Sequence, residues 1–364
     1  MFATKTKIAA MCAATSLIGV LLIFAGAPAI AEDEVVSEQP LFLPLPPNEP
    51  RLQFLTKFSS ALDVGTEKKG FRDFVFGGED NEAQLVQKPY GLAVYEGAIY
   101  VVDTRGNGYG IFDLANSRSK LVQPTGAGAL VKPINITIDV DGTRYITDTE
   151  REQILVFNAD DRFLRAIGDP GQFKPIDVAI AGDQLYITDI MHHQVHVLDK
   201  HTDETVLTFG DVGSEPGQLF HPTSLAIGGD GMVYVTDTSN FRLQQFDADG
   251  EFVRVIGALG SRPGTFSRPK GIALDRSGHI YVVDAAFQNI QVIAPDGGAI
   301  MAFGEPGAER WNVNLPTVVK IDYENVPYFE KYAAPNFEIE YLVLVASQFG
   351  LNKVVVFGYG ELRE

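Results

Sequence analysis

Residues 221–257 read HPTSLAIGGDGMVYVTDTSNFRLQQFDADGEFVRVIG. An apolar run, Leu225-Ala226-Ile227, ends at a Gly-Asp-Gly turn, and Val233-Tyr234-Val235 follows. After a polar loop come Leu243 to Phe246, an Asp-Ala-Asp-Gly turn, and Phe252 to Ile256. Four short runs rich in β-branched and aromatic residues, joined by Asp/Gly turns, predict an antiparallel four-stranded sheet. None is long or periodic enough for a pair of helices.

The same unit recurs along the chain. Pro89, Pro133, Pro175, Pro222, Pro269 and Pro316 open successive copies, spaced 44, 42, 47, 47 and 47 residues apart. A period in the forties marks a propeller or a helical array, and the strand content selects the propeller. The second strand of each unit carries Tyr100/Asp103, Tyr145/Asp148, Tyr186/Asp189, Tyr234/Asp237 and Tyr281/Asp284. With the opening seen in RPKGIAL (268–274), this pattern resembles the NHL-repeat family of six-bladed propellers over residues 50–360. One copy is a weak motif, but five in register are specific.

The sixth unit departs from the pattern. LPTVVKIDY, EYLVLVA and KVVVFG supply three strands, the aspartate is replaced around Ala346-Ser347, and the sequence reaches Glu364 where a fourth strand is due. Near the other end, FLTKFS (54–59) alternates like FVRVIG (252–257) and FLRAIG (163–168). The expected fold is therefore all-β: six four-stranded antiparallel blades, with the N-terminal strand completing the last. Such closure removes the unpaired edges of an open stack.

Three segments follow: a signal peptide or N-terminal anchor over 1–31, an acidic and proline-rich tether over 32–50, and the propeller over 51–364. Lys5 and Lys7 precede an uncharged run from Ile8 to Ala31 that ends in Ala29-Ile30-Ala31, the small-x-small cleavage pattern. The run exceeds a usual signal core, so an uncleaved anchor is the alternative. Either way the expectation is an exported protein, periplasmic or extracellular. Cys12 is the only cysteine, so the mature chain has no disulfide and no thiol nucleophile. The formal charge of −18 argues against nucleic-acid binding and against an anionic membrane surface.

Several residues are candidates for chemistry. Lys88, Lys132, Lys174, His221 and Arg268 each precede a blade's proline, on the face that carries the repeat aspartates. They form either an ion-pair and hydrogen-bond lattice locking each blade to the next or a basic mouth for an anionic peptide or small acid. Two positions after the prolines stand Gly91, Asn135, Asp177, Ser224, Gly271 and Val318, expected to line the channel and admit water. A resemblance to hydrolytic and lyase propellers, the gluconolactonase-like group and the amidated-peptide lyases among them, would imply a divalent metal there. Asp177 and Asn135 offer few of the oxygen ligands such an ion needs, so no cofactor is expected. In MHHQVH (191–196), His192 and His196 on an extended strand would stand roughly 13 Å apart, too far to share zinc.

Two segments interrupt the repeat. Residues 60–87 form an oversized connection in which Phe71, Phe74 and Val75 suit one face of a short helix. Residues 324–340 add Tyr328, Phe329, Tyr332 and Phe337 between two strands of blade six, either a partner-binding patch or local packing. These insertions, and the lack of a recognisable catalytic set, favour a non-enzymatic scaffold for a protein or peptide partner. The alternatives are a metal-dependent lyase or hydrolase working at the channel, and a sensor of a small anion.

Overall fold

The computed structural model describes residues 40–45, 47–64 and 84–363. The leader, the acidic part of the tether and the helix expected around Phe71, Phe74 and Val75 lie outside them. Within the described residues the chain is all-β, in six antiparallel blades. Blade one runs from Pro89 to Val122, blade two from Pro133 to Ile167, and blade three from Pro175 to Phe209. Blade four runs from Pro222 to Ile256 and blade five from Pro269 to Phe303. No helix among the described residues is long and apolar enough to cross a membrane.

Blade six joins the two ends of the domain. Its inner strands are Pro316–Asp322, Phe337–Ser347 and Val354–Leu362, and Leu52–Phe58 forms the fourth. The register pairs Phe54 with Phe357, Thr56 with Val356 and Phe58 with Val354. Phe42–Leu43, from the proline-rich segment, adds a short fifth strand against Leu52 and Gln53. Leu52, Phe54 and Phe58 are buried as the alternation predicts, but Gln53 and Leu55 are buried too, because the strand is covered on both faces and a bulge between Phe54 and Thr56 shifts its register. The ring of Phe58 lies 5.5 Å from Phe112 of blade one, so the closing strand also cements the neighbouring blade.

Each proline opens an innermost strand directly opposite the residue that ends the second strand. Pro89 faces Asp103, Pro133 faces Asp148, Pro175 faces Asp189, Pro222 faces Asp237 and Pro269 faces Asp284. In blade six Pro316 faces Ser347, which takes the missing aspartate's place. Proline suits the first position because no ladder bond is asked of its nitrogen. A bulge follows each proline and re-aims the next two side chains towards the axis. Apolar wedges fill the space between blades; Tyr100 and Ile111, for example, pack with Ile136, Leu155 and Phe157.

Truncation of Phe58 to Ala is expected to cost about 3–5 kcal/mol, as for other buried aromatic residues, and to lower the urea midpoint accordingly. Deleting residues 51–58 should leave the edge of Val354–Leu362 open and drive self-association, visible by light scattering. A monodisperse deletion variant with unchanged unfolding would contradict this closure.

Candidate functional site

The second-strand aspartates are buried, and what they bind differs from expectation. Asp103 accepts the backbone N–H groups of Gln87 (2.7 Å) and Lys88 (3.0 Å). Asp148 does the same for Val131 and Lys132, and Asp284 for Ser267 and Arg268. Asp189 accepts the Lys174 N–H, and Asp237 that of Phe220. A carboxylate fastens the connecting loop through main-chain donors. Among the described residues, the side chains of Lys88, Lys132, Lys174 and Arg268 form no ion pair with these aspartates. Of the expected ion-pair and hydrogen-bond lattice, the hydrogen bonds are present, made by main-chain donors, while the cationic heads of the loop do not pair with these aspartates. His221 is turned to a neighbouring loop instead, where its ring contacts Ser239 and His193.

At the axis, three blades share one carboxylate. Asn135 of blade two donates its Nδ2 to Asp177 Oδ1 of blade three, and Ser224 Oγ of blade four donates to Oδ2 at 2.6 Å. The N–H groups of Val178 (2.8 Å) and Leu225 (3.1 Å) complete four donors on Asp177. Gly91, Asn135, Asp177, Ser224, Gly271 and Val318 are all buried. A Cβ on Gly91 would stand 2.1 Å from Asn135 Oδ1, and one on Gly271 would stand 2.5 Å from Val318 Cα. This level is a closed neck and does not admit water to a channel.

A hard divalent ion does not fit the neck. Both Asp177 oxygens are occupied, Asn135 Oδ1 accepts the Ile136 N–H, and among the described residues no second carboxylate reaches this level. Beyond it, the axis opens into a vestibule of about 290 Å³ whose isoleucines, Ile138, Ile180, Ile227 and Ile321, are interspersed with Thr137 and Lys320.

On the proline side lies a pit of about 10 Å³, barely room for one water, whose floor is the neck and whose wall holds Tyr90, Thr223, Lys270 and Thr317. These residues stand one position after the prolines, where the sequence reading looked one residue too far. Comparing all six copies at that position, Tyr90, Ile134, Ile176, Thr223, Lys270 and Thr317, would have exposed the single charge. Lys270 is 8% exposed, and its Nζ lies 4.9 Å from the centre of the Tyr90 ring. Among the described residues that amine has no carboxylate and no hydrogen-bond partner. Desolvation, with Arg268 and Lys88 adding repulsion, pushes its pKa down to about 8. Burial, with Asp177 nearby and Arg268 opposing, pushes the Tyr90 phenol up to about 12. The pit thus holds an amine near its titration point beside a phenol that stays protonated.

The insertion in blade six is packed against the wall. Phe329 and Phe337 are buried, Tyr332 is half-buried, and Tyr328 lies against Gly97 of blade one. Asn325 Oδ1 accepts the Gly97 N–H at 2.6 Å, and Tyr332 O accepts from Gln53 of the closing strand. Most of this aromatic density packs within the ring, while Tyr328 stays 37% exposed at the surface.

A family model described as a six-bladed β-propeller, DUF5128, matches residues 228–292. The fold it describes is the one seen. A probable peptidyl-α-hydroxyglycine α-amidating lyase of Caenorhabditis elegans is 32% identical over 72 residues, which is 19% of this chain and 21% of that protein. Among solved structures, a gluconolactonase from Xanthomonas campestris superposes with a TM-score of 0.57 at 14% identity, covering 88% of this chain and 97% of its own. Virginiamycin B lyase from Staphylococcus aureus gives 0.53 at 14% identity, covering 74% and 94%. At such identity these two attest the fold alone.

The expectation of a non-enzymatic scaffold is corrected by these findings. The curated relative matched in sequence is named as a lyase. Replacing Asp177 with Ala strands four donors contributed by three blades, and should cost about 3 kcal/mol. Urea unfolding checks this: the midpoint should fall well below that of a surface control such as Asp249→Ala.

Proposed function

We propose that this chain is an enzyme, a lyase or hydrolase whose chemistry takes place at the proline-side mouth, on a substrate resting on the lip of the pit, since the pit itself has room for no more than about one water. The observation that carries this reading is Lys270, a lysine 8% exposed and without a counter-ion among the described residues, whose amine nonetheless reaches the solvent at the mouth. Buried lysines are ordinarily paired, and perturbed groups in clefts are functional candidates. At neutral pH a useful fraction of Lys270 is uncharged and able to accept a proton. Tyr90, which holds its proton, supplies the complementary donor.

The division of labour follows from these states. Lys88 and Arg268, close enough to depress Lys270, attract a substrate carrying a carboxylate or another anionic group. The Lys270 amine removes a proton from the substrate hydroxyl or from an attacking water. As the bond to the leaving group breaks, the Tyr90 phenol protonates the departing nitrogen or oxygen. Solvent then returns both residues to their starting states. The local likeness to an α-hydroxyglycine amidating lyase favours cleavage of a carbinol-type C–N bond over ester hydrolysis. We also infer that the repeats are of the NHL class and that the enzyme works outside the cytoplasm.

The purified protein is to be assayed on α-hydroxyglycine-terminated peptides, aldonolactones and cyclic depsipeptides. Lys270→Met should lower kcat about 10²–10⁴-fold with melting unchanged, and Tyr90→Phe should lower it with a smaller effect on KM. Absence of turnover above the Lys270→Met blank on all three classes overturns the reading.

The pH–rate profile supplies a separate check. A base is active once deprotonated, so kcat/KM should rise with pH through about 8. A profile flat from pH 6 to pH 9 would remove Lys270 from the role.

A further inference from the structure

In blade three the polar turn after the second strand folds back on itself. His193 adopts φ 61°, and this left-handed residue reverses the chain so that His192 and His196 meet over one carboxylate. The extended-strand expectation, which separated them, is corrected by this turn. His192 Nδ1 lies 2.7 Å and His196 Nε2 3.1 Å from Asp189 Oδ2, and all three ligand atoms fall within 4.8 Å of one another.

We propose that Asp189, His192 and His196 bind a divalent transition-metal ion of the zinc type, with an open coordination position facing solvent. Two imidazoles and one carboxylate are the donor set of such ions, whereas calcium and magnesium ask for oxygen throughout. The carboxylate is held in place from behind: its Oδ1 accepts the N–H groups of Lys174 and Met191, each at 2.8 Å, and leaves Oδ2 forward. Thr208 Oγ1, 3.2 Å from His196 Nδ1, can accept that nitrogen's proton and so fix the tautomer whose Nε2 lone pair points at the ion. The carboxylate is fully buried and the His192 side chain 45% exposed, which leaves a side of the site for water. His193 takes no part, because its Nδ1 accepts the His221 N–H.

Blade four shows what the same place looks like when it is only structural. There Asn240 Nδ2 (2.8 Å), Gln244 Nε2 (3.1 Å) and Arg242 Nε (2.8 Å) all donate to Asp237 Oδ2. His192 and His196 occupy the positions of Asn240 and Gln244, three and seven residues after the aspartate. Amides suffice to clamp this carboxylate. Histidine at both positions keeps the clamp and adds the lone pairs that a metal requires.

The full-length protein, stripped with a chelator, is titrated with Zn²⁺ by calorimetry and with Co²⁺ by visible absorption. One ion per chain, ligand-field bands of low-symmetry four- or five-coordinate cobalt and a raised melting temperature are expected. The variant His192→Asn/His196→Gln copies blade four, so it should fold and melt as the metal-free protein does while binding at least about 100-fold more weakly. Equal binding by that variant, or no stoichiometric binding by the parent, overturns the site. Neither outcome bears on the reaction at Lys270, because the readout is the ion alone.

Discussion

Everything described here depends on one main-chain pairing, that of Leu52–Phe58 with Val354–Leu362. A propeller has no central core; each blade is wedged against two others, and a gap anywhere would expose two apolar faces and a strand edge. The chain closes the gap with residues taken from its far end, then braces the seam. The insertion after Asp322 touches the closing strand at Gln53 and blade one at Gly97. A segment rich in Tyr and Phe is thereby spent on the joint. Its sequence resembles an adhesive surface because a well-packed joint and a recognition patch are built from the same side chains.

A second economy concerns the buried aspartates. Main-chain N–H groups always need acceptors, so a carboxylate at the end of the second strand finds donors in the loop entering the first, whatever the side chains there are. The lysines and arginine before the prolines are then not needed to hold these carboxylates. The same device tolerates substitution around its second oxygen, where blade two uses backbone N–H of Val131, blade four amides and a guanidinium, and blade three imidazoles. Geometry is conserved around the ring while chemistry drifts from blade to blade.

The fold was legible because repetition multiplies weak signals: six prolines, five Tyr/Asp pairs and the match of FLTKFS to FVRVIG each point to the same ring. The site was less legible, for reasons that lie in particular residues. Alternation along an innermost strand suggested which side chains face the axis, but the bulge after each proline shifts that parity, and Lys270 was passed over in favour of Gly271. Spacing in MHHQVH implied separation, because a strand was carried through a residue that the turn places in the left-handed region. Asp177 was placed correctly at the axis, yet its four donors, drawn from three blades, are visible only once the ring is assembled.

The interlocked level formed by Asn135, Asp177, Ser224 and their glycine neighbours has a consequence for traffic. It divides the axis into two blind alleys, a tight one on the proline side and a roomier one beyond. Whatever enters by the proline-side doorway must back out through it, so reactant and product compete for a single threshold. Selectivity for a ligand is then decided at the lip, by the loops that the buried aspartates hold rigid, before any molecule reaches the floor.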